Sequence, residues 1–504
     1  MASRWRGACL RIAVACAAGG VSGCGPNFVM PSVPQTAGYT AHPLHGDKAQ
    51  RFVRNLDIPG QWWTLFHSRA LNSLVAEAMR NNPDLQAAQA ALRRAREDAQ
   101  ALRGGFYPQI GGNFTGTGGN VGDQASSPLA SNAASYTLLT PQVTVSYAPD
   151  VFGLRRREVE SADAAAESER FRLEAAYLTL TSNVVVAAIE EASLRDQIAA
   201  IKKILGTAHD NLAILHRQRD LGQISDADVL LQEAALAQIE EKLPPLEKQL
   251  AQQRNLLTAL AGRFPNQAIG EKFTIAALHL PRDLPVSLPS RLVAQRPDIK
   301  AAEADLHAAS AGVGVAIAAR LPLINLTASY GNGSESLATL FSPQTAMWAI
   351  TGSVSQSIFD GFSLYHKEKA AQAAFAEAKA RYRGTVIAAF RNVADVLYAL
   401  DADARTYKAA AAAEAAAGKS LDLVRKQLHM GQVNSLALLN AQQTYLQSSL
   451  VKAQAQASRY ADTAALFQAL GGGWWNRSDV GPYAEAKGPS SIEDYFAPSL
   501  TKAR

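Results

Sequence analysis

The sequence predicts a mainly α-helical protein with a membrane β component. Long helical hairpins pack as coiled coils, and a few amphipathic strands join those of other chains in a shared barrel. Three observations predict this. A 3-4 apolar repeat runs through very long helical stretches on both sides of a glycine-bearing turn. Strand-like alternation interrupts the helices in two places. The whole arrangement also occurs twice within 504 residues.

The chain opens on a lipoprotein signal, residues 1–23. Arg4, Arg6 and Arg11 make a basic start, Ile12 to Val21 is a short apolar run, and small residues follow. The run is too short to span a bilayer. Val21-Ser22-Gly23-Cys24 resembles a bacterial lipobox, in which the cysteine becomes the lipidated first residue of the mature protein. The competing reading is a cysteine that happens to follow an ordinary cleavage site. Gly25 stands where the lipoprotein-sorting pattern places Asp to retain a protein at the inner membrane, so the outer membrane is expected. Removing 1–23 leaves 481 residues with one cysteine, which permits no internal disulfide, and lowers the formal net charge from +5 to +2. The pI near 9.0 is therefore no argument for nucleic acid, and no basic patch with interleaved aromatics is present. No later segment reads as a membrane-spanning helix, so any crossing must be a barrel.

Residues 24–60, rich in Pro and Gly, read as an extended arm. The first structural repeat covers 61–262. Trp62 and Trp63 are expected to pack in a core, and Leu71 to Gly104 reads as an Ala-rich helix punctuated by Asn82-Pro83-Asp84. Between Tyr107 and Asp150 the period changes. Ile110, Gly112 and Phe114 alternate with Gly111, Asn113 and Thr115; Val143, Val145 and Tyr147 alternate with Gln142, Thr144 and Ser146. A Gly/Ser/Asn-rich loop lies between.

A helical hairpin follows. Its first helix could run about 65 residues, or roughly 100 Å. Steps of four and three land on Leu173, Tyr177, Leu180, Val184, Ala187, Leu194, Ile198, Ile201, Leu205, Ala208, Leu212 and Leu215, and only Glu191 breaks the series. After a turn at Leu221-Gly222-Gln223-Ile224-Ser225-Asp226 the return series includes Val229, Leu236, Ile239, Leu243 and Leu257, with Pro244-Pro245 expected to kink it.

Residues 263–296 form a Pro-rich linker, 297–470 the second repeat and 471–504 a tail. A shift of 209 carries Leu173, Tyr177, Leu180 and Val184 onto Tyr382, Val386, Ala389 and Val393, and the first turn onto Met430-Gly431-Gln432-Val433. Asp403 and Glu414 are the exceptions in this second series. Strands recur at Ile324 to Tyr330 and Ile350 to Ile358. Strands of about ten residues, apolar on one face and polar but mostly uncharged on the other, fit a membrane barrel or a soluble sheet with one solvated face. Topology tips the balance toward the barrel: four strands per chain cannot close a conducting one, so several chains must contribute. At each strand-to-helix switch an Asp stands beside a Gly, as Asp150 and Gly153 and as Asp360 and Gly361, which reads as a helix cap and bend.

These residues resemble the outer-membrane factors of bacterial tripartite efflux pumps, in the branch of efflux lipoproteins. The likeness covers nearly the whole mature chain. It is carried by the lipobox at Cys24, Trp62-Trp63, Asn82-Pro83-Asp84-Leu85, and Asp150-Val151-Phe152-Gly153 with Arg155 and Arg156. Further along it is carried by Leu288-Pro289-Ser290-Arg291-Leu292, Gln295-Arg296-Pro297-Asp298-Ile299, Phe359-Asp360-Gly361, and Gly431 through Leu438-Leu439-Asn440-Ala441-Gln442. The resemblance implies a homotrimer with a twelve-stranded barrel in the outer membrane and a helical periplasmic tunnel. A periplasmic adaptor would dock at the turns, at Gly222, Gln223, Gly431 and Gln432, and link the channel to an inner-membrane RND-type transporter that exports drugs or other small toxic compounds. No cofactor is implied beyond the lipid on Cys24.

Family members place aperture residues near these turns, and three carboxylates around one pore attract cations and repel each other. Asn440 stands where relatives commonly carry Asp, and Ala437 where some carry a second, so Asp226 and Asp228 become the candidate acidic gate; the plainer reading is a capped, solvated turn. An enzyme is the weakest rival: there is no His-Glu-x-x-His, phosphate loop or Cys-x-x-Cys, and the nine His are scattered. His209 and His216, two turns apart, are expected on a coiled-coil surface. Two other functions remain open: an outlet for type I protein secretion, and a periplasmic coiled-coil tether.

Overall fold

The computed structural model describes residues 26–32, 38–40, 50–122 and 133–477. Cys24, the signal and the tail beyond Arg477 lie outside the described residues. In chain order the elements are β1 (Arg51–Arg54), α1 (Arg69–Asn81), α2 (Pro83–Arg103), β2 (Gln109–Asn120), β3 (Ser135–Tyr147), α3 (Leu154–Asp220), α4 (Asp226–Glu240) and α5 (Leu243–Leu260). There follow β4 (Asp283–Val286), α6 (Pro289–Gln295), α7 (Pro297–Ala318), β5 (Leu323–Asn332), β6 (Ala346–Ser355), α8 (Ser363–His429) and α9 (Ser435–Ala469). The succession α2, β2, β3, α3, turn, α4 is matched by α7, β5, β6, α8, turn, α9. The protein is mainly helical with β sheet.

The chain forms two compact units, each assembled from three stretches. Of the described residues, those between 26 and 32, 83 and 176, and 297 and 390 make the first; those between 38 and 82, 177 and 296, and 391 and 477 make the second. The first holds α2, α7, the four long strands and the opening turns of α3 and α8. The second holds the hairpin ends and the segments around β1 and β4.

The predicted helix 71–104 is two helices. Ser68 caps α1 by accepting a hydrogen bond from the Leu71 amide at 3.3 Å, and Asn82, extended as residues before proline tend to be, ends it; Pro83 then opens α2. The long helices match expectation, at 67 residues each. Leu173, Tyr177, Leu180, Val184, Ala187, Leu194, Ile198, Ile201, Ala208 and Leu215 of the first series are buried, as are Tyr382, Val386, Ala389, Val393, Leu400 and Leu421 of the second. One 18-residue window of α3 has mean hydropathy 1.2, enough to cross a membrane by composition, yet 61% of it is buried within the protein.

Pro244-Pro245 does more than kink the return helix. It ends α4 at Glu240 and restarts the chain as α5, with proline in the first turn where no amide donor is needed. The matching helix α9 has no proline and runs 35 residues unbroken. In the second unit the two hairpins share a core of Ile201 and Ile204 from α3, Ile239 from α4, Leu421 from α8, and Leu438 and Leu446 from α9.

The arm, read as extended, and the Pro-rich linker meet as a short parallel pair: Arg51 to Arg54 on β1 run beside Asp283 to Val286 on β4. Four residues are too few for alternation to be read from sequence. Trp62 and Trp63 are buried as expected, Phe66 is buried beside them, and Trp62 stacks on Phe467 at 5.3 Å. The start of the tail is fastened to the same unit, with Trp474 Nε1 donating to the Gln295 carbonyl at 2.6 Å and Trp475 Nε1 to Asp57 at 3.1 Å. Glu191, the break in the apolar series, is fully buried and pairs with Arg195 at 2.6 Å and Arg254 at 2.8 Å. Arg254 also donates to the carbonyls of Ile269 and Glu271, so this one carboxylate ties α3 and α5 to the linker.

Candidate functional site

The four long strands make one antiparallel sheet in the order β2-β3-β5-β6. Its register sorts the side chains. One face carries Ile110 and Phe114, Val145, Val143 and Leu139, Ile324, Leu326 and Tyr330, and Trp348, Ile350 and Val354. The other carries Asn113 and Thr115, Gln142 and Thr144, Asn325, Thr327 and Ser329, and Thr351, Ser353 and Ser355. Neighbours on the polar face bond to each other, Asn113 Nδ2 to Thr115 Oγ1 at 3.0 Å and Gln142 Nε2 to Thr144 Oγ1 at 3.3 Å.

Both faces are open on β2 and β6, and the apolar one leaves large side chains bare: Trp348 is 73% exposed, Ile350 78% and Val354 70%. None of the four strands contains an Asp, Glu, Lys or Arg. Soluble proteins rarely leave so continuous an apolar surface bare, whereas a barrel wall needs lipid on one side and water on the other. Among the described residues β2 and β6 each lack a second neighbouring strand. β6 stops at Ser355, short of the expected Ile358, which is 98% exposed beyond it.

Both strand-to-helix switches use an Asp as a remote cap. The two oxygens of Asp150 accept from the amides of Arg155 and Arg156, each at 3.0 Å, and Asp360 accepts from Leu364 at 2.7 Å. Each carboxylate thus satisfies first-turn donors that have no partner within the helix. Gly153 (φ 82°) and Gly361 (φ 67°) make the bend, joined in the second copy by Phe362 at φ 66°.

The two hairpin turns are built alike. Gly222 (φ 72°) and Gly431 (φ 69°) end α3 and α8 in the left-handed region. Gly222 donates to the Arg219 carbonyl at 2.8 Å and Gln223 to that of Gln218 at 2.8 Å; Gly431 donates to Leu428 at 3.0 Å and Gln432 to Gln427 at 2.9 Å. This is the same Schellman closure twice. Leu221 and Met430 stand exposed at the apices. Each following helix is capped by a polar side chain: Ser225 accepts from the Asp228 amide at 3.3 Å, and Asn434 Oδ1 from the Ala437 amide at 3.1 Å.

The candidate gate residues separate in their bonding. Asp228 completes a capping box, accepting from the Ser225 amide at 3.2 Å and hydroxyl at 2.7 Å. Asp226 is largely exposed, 3.9 Å from Arg219. Asn440 is exposed on α9 and its carbonyl accepts from Thr444 Oγ1 at 2.8 Å. His209 and His216 face across the first hairpin toward Glu240 at 3.4 Å and Glu233 at 3.5 Å, in line with Lys202 and Glu247 at 3.0 Å.

Asp403 has a setting that the sequence marked only as a break in the series. It lies half-buried on α8, in contact with Asp462 of α9. Burial first, then the hydrogen bond and charge of Asp462, push its carboxyl up to about 7.

The family model described as outer membrane efflux protein matches residues 74–263 and 288–472, one segment for each run of the repeated element order. The chain belongs to the outer membrane efflux protein family. As such it is an outer-membrane channel component of an efflux system. The pyoverdine export outer membrane protein OpmQ of Pseudomonas putida is 28% identical over 426 residues, covering 83% of this chain and 89% of that protein. Outer membrane protein OprJ of Pseudomonas aeruginosa is 27% identical over 464 residues, covering 90% and 94%. The Campylobacter jejuni CmeC outer membrane channel superposes with a TM-score of 0.83 at 22% identity, over 90% of this chain and 95% of that one, a likeness of fold.

Proposed function

We propose that this efflux protein works as a homotrimer whose sheets close a twelve-stranded barrel in the outer membrane, with the helical hairpins continuing the conduit into the periplasm. The observation that carries the reading is the uncharged sheet, with its exposed apolar face and its two edge strands unpaired among the described residues. Four strands enclose no usable pore, while three copies supply a number within the range of known barrels. Conduction is passive. A periplasmic adaptor docks at the turns around Gly222, Gln223, Gly431 and Gln432, where Leu221 and Met430 offer exposed apolar contacts, and joins the channel to an inner-membrane RND-type transporter.

Drugs or other small toxic compounds are the cargo, in keeping with relatives named as outer membrane proteins of antibiotic and toluene efflux pumps. Lipid on Cys24 adds an anchor to the outer membrane. Of the gate candidates Asp226 is preferred to Asp228, whose carboxylate is engaged by Ser225, and Asn440 leaves the second turn neutral.

Single-channel recording from purified protein in planar bilayers, beside native mass spectrometry of the same sample, tests the reading. Discrete conductance steps from a trimer are expected. A monomer or dimer that stays silent, even with both turns loosened by substitution, would overturn it in favour of a tether.

A further inference from the structure

Asp403 on α8 and Asp462 on α9 bring two acidic side chains together across the second hairpin. Asp403 Oδ2 is buried, and no hydrogen-bond donor among the described residues reaches it. The two carboxyl groups come together across the hairpin, and a hydrogen bond between them requires a proton on one of the pair, since a carboxylate has none to donate. Two other groups shape the site. Arg459, one turn back along α9, attracts the ionised form of Asp403, but its Nε donates to Gln50 Oε1 at 2.9 Å. Gln50 is itself fixed by donating to the Pro281 carbonyl and to Thr463 Oγ1, each at 3.1 Å. Asp401, two residues from Asp403, is paired with the exposed Arg405 at 3.1 Å. Tyr460 points its hydroxyl to the Leu278 carbonyl at 3.2 Å.

We propose that Asp403 and Asp462 form a proton-operated latch between the two helices of the second hairpin. It is closed while the carboxyls share a proton and opens when that proton leaves two like charges face to face. The sign follows from where the proton binds. Asp403 titrates at about 7 in the folded protein, above the value of about 3.9 for an unfolded aspartate. The stabilisation is therefore complete below about pH 4 and is lost as pH rises through the folded-state value. Because α8 and α9 meet at the second turn, release of the latch loosens the hairpin that carries Gly431 and Gln432. That consequence rests on the proposed channel function; the titration does not.

The test uses the full-length protein in detergent and in planar bilayers between pH 5 and 8. In Asp403→Asn the amide donates permanently to Asp462, and in Asp462→Asn to Asp403, so either variant stays latched at every pH. Expected are a wild-type thermal midpoint that falls across this range, variants that lack most of the fall and are the more stable at pH 8, and an infrared carboxylic-acid band that titrates near neutrality and is missing from Asp403→Asn. Identical pH profiles for wild type and both variants, with the infrared band unchanged, would overturn the latch. If the proton is found but conductance shows no pH step that the variants abolish, the link to opening fails while the latch stands. Absence of any conductance would count against the channel reading instead.

Discussion

Glu191 shows how a single residue can contradict its sequence neighbourhood and be right. It falls on the buried stripe of α3, where every fourth or third residue is apolar, and an unpaired carboxylate there would be prohibitive. Two guanidinium groups reach it, and the second, Arg254, also gathers the carbonyls of Ile269 and Glu271. The sequence marks such a site only as an exception, because Arg195 lies one turn along the same helix but Arg254, which joins the carboxylate to the linker, lies 63 residues away in chain. Truncation leaves those cations without their anion, and breaking one side of a buried pair costs about 3 kcal/mol. Glu191→Ala is accordingly expected to lower the thermal midpoint and to open residues 263–296 to limited proteolysis; a variant as protease-resistant as wild type would show that the linker is held by other contacts. Glycines differ in the same residue-by-residue way. Gly222 and Gly431 have open space around them and are needed for their positive φ alone. A side chain on Gly262, also at positive φ, would in addition collide with the Asn81 carbonyl.

At the scale of elements, what could be read in advance was what repeats with a period. Sixty-seven-residue helices announce themselves through many turns of the same stripe, and strands of ten or more residues through alternation. The β1–β4 pair was not legible, being four residues long and closed between segments more than two hundred residues apart. The break at Pro244 was legible as a disturbance but not as a full separation of helices, since a prolyl ring can either bend a helix or begin a new one. In the sheet, alternation gave the two faces, and the structure adds that the apolar one is bare. That distinction has a sharp consequence at adjacent positions of β6. Ile350 lies mid-strand on the apolar face and Thr351 on the polar face. A charge facing lipid at mid-membrane costs about 2–4 kcal/mol, whereas one facing water is nearly neutral. Ile350→Arg is expected to fold and insert poorly, measured as heat-stable protein recovered in outer membranes, with Thr351→Arg recovered close to wild type. Equal recovery of both would mean that the apolar face meets protein or water rather than lipid.

For the whole molecule the decisive quantity is the fate of two strand edges. Among the described residues β2 and β6 have no second neighbouring strand, and long uncovered edges of this kind are liabilities in water and untenable in lipid. Closing them within one chain would demand a barrel of four strands, too narrow for its own side chains. Closing them between copies requires β2 of one protomer to meet β6 of the next, a head-to-tail contact that a rotation can complete as a ring. The sequence lends itself to the test, because Cys24 is the only cysteine outside residues 1–23. Paired cysteines introduced on the polar face, one along β2 at Gly111, Asn113 or Thr115 and one along β6 at Thr351, Ser353 or Ser355, should include combinations that cross-link under mild oxidation. The product on a denaturing gel should be a ladder ending at three chains, with either cysteine alone giving none. A ladder that ends at two chains, or runs on past three, would replace the threefold ring with a different closure. No cross-link at any pairing would leave the edges to some other partner and remove the barrel from this protein's mechanism.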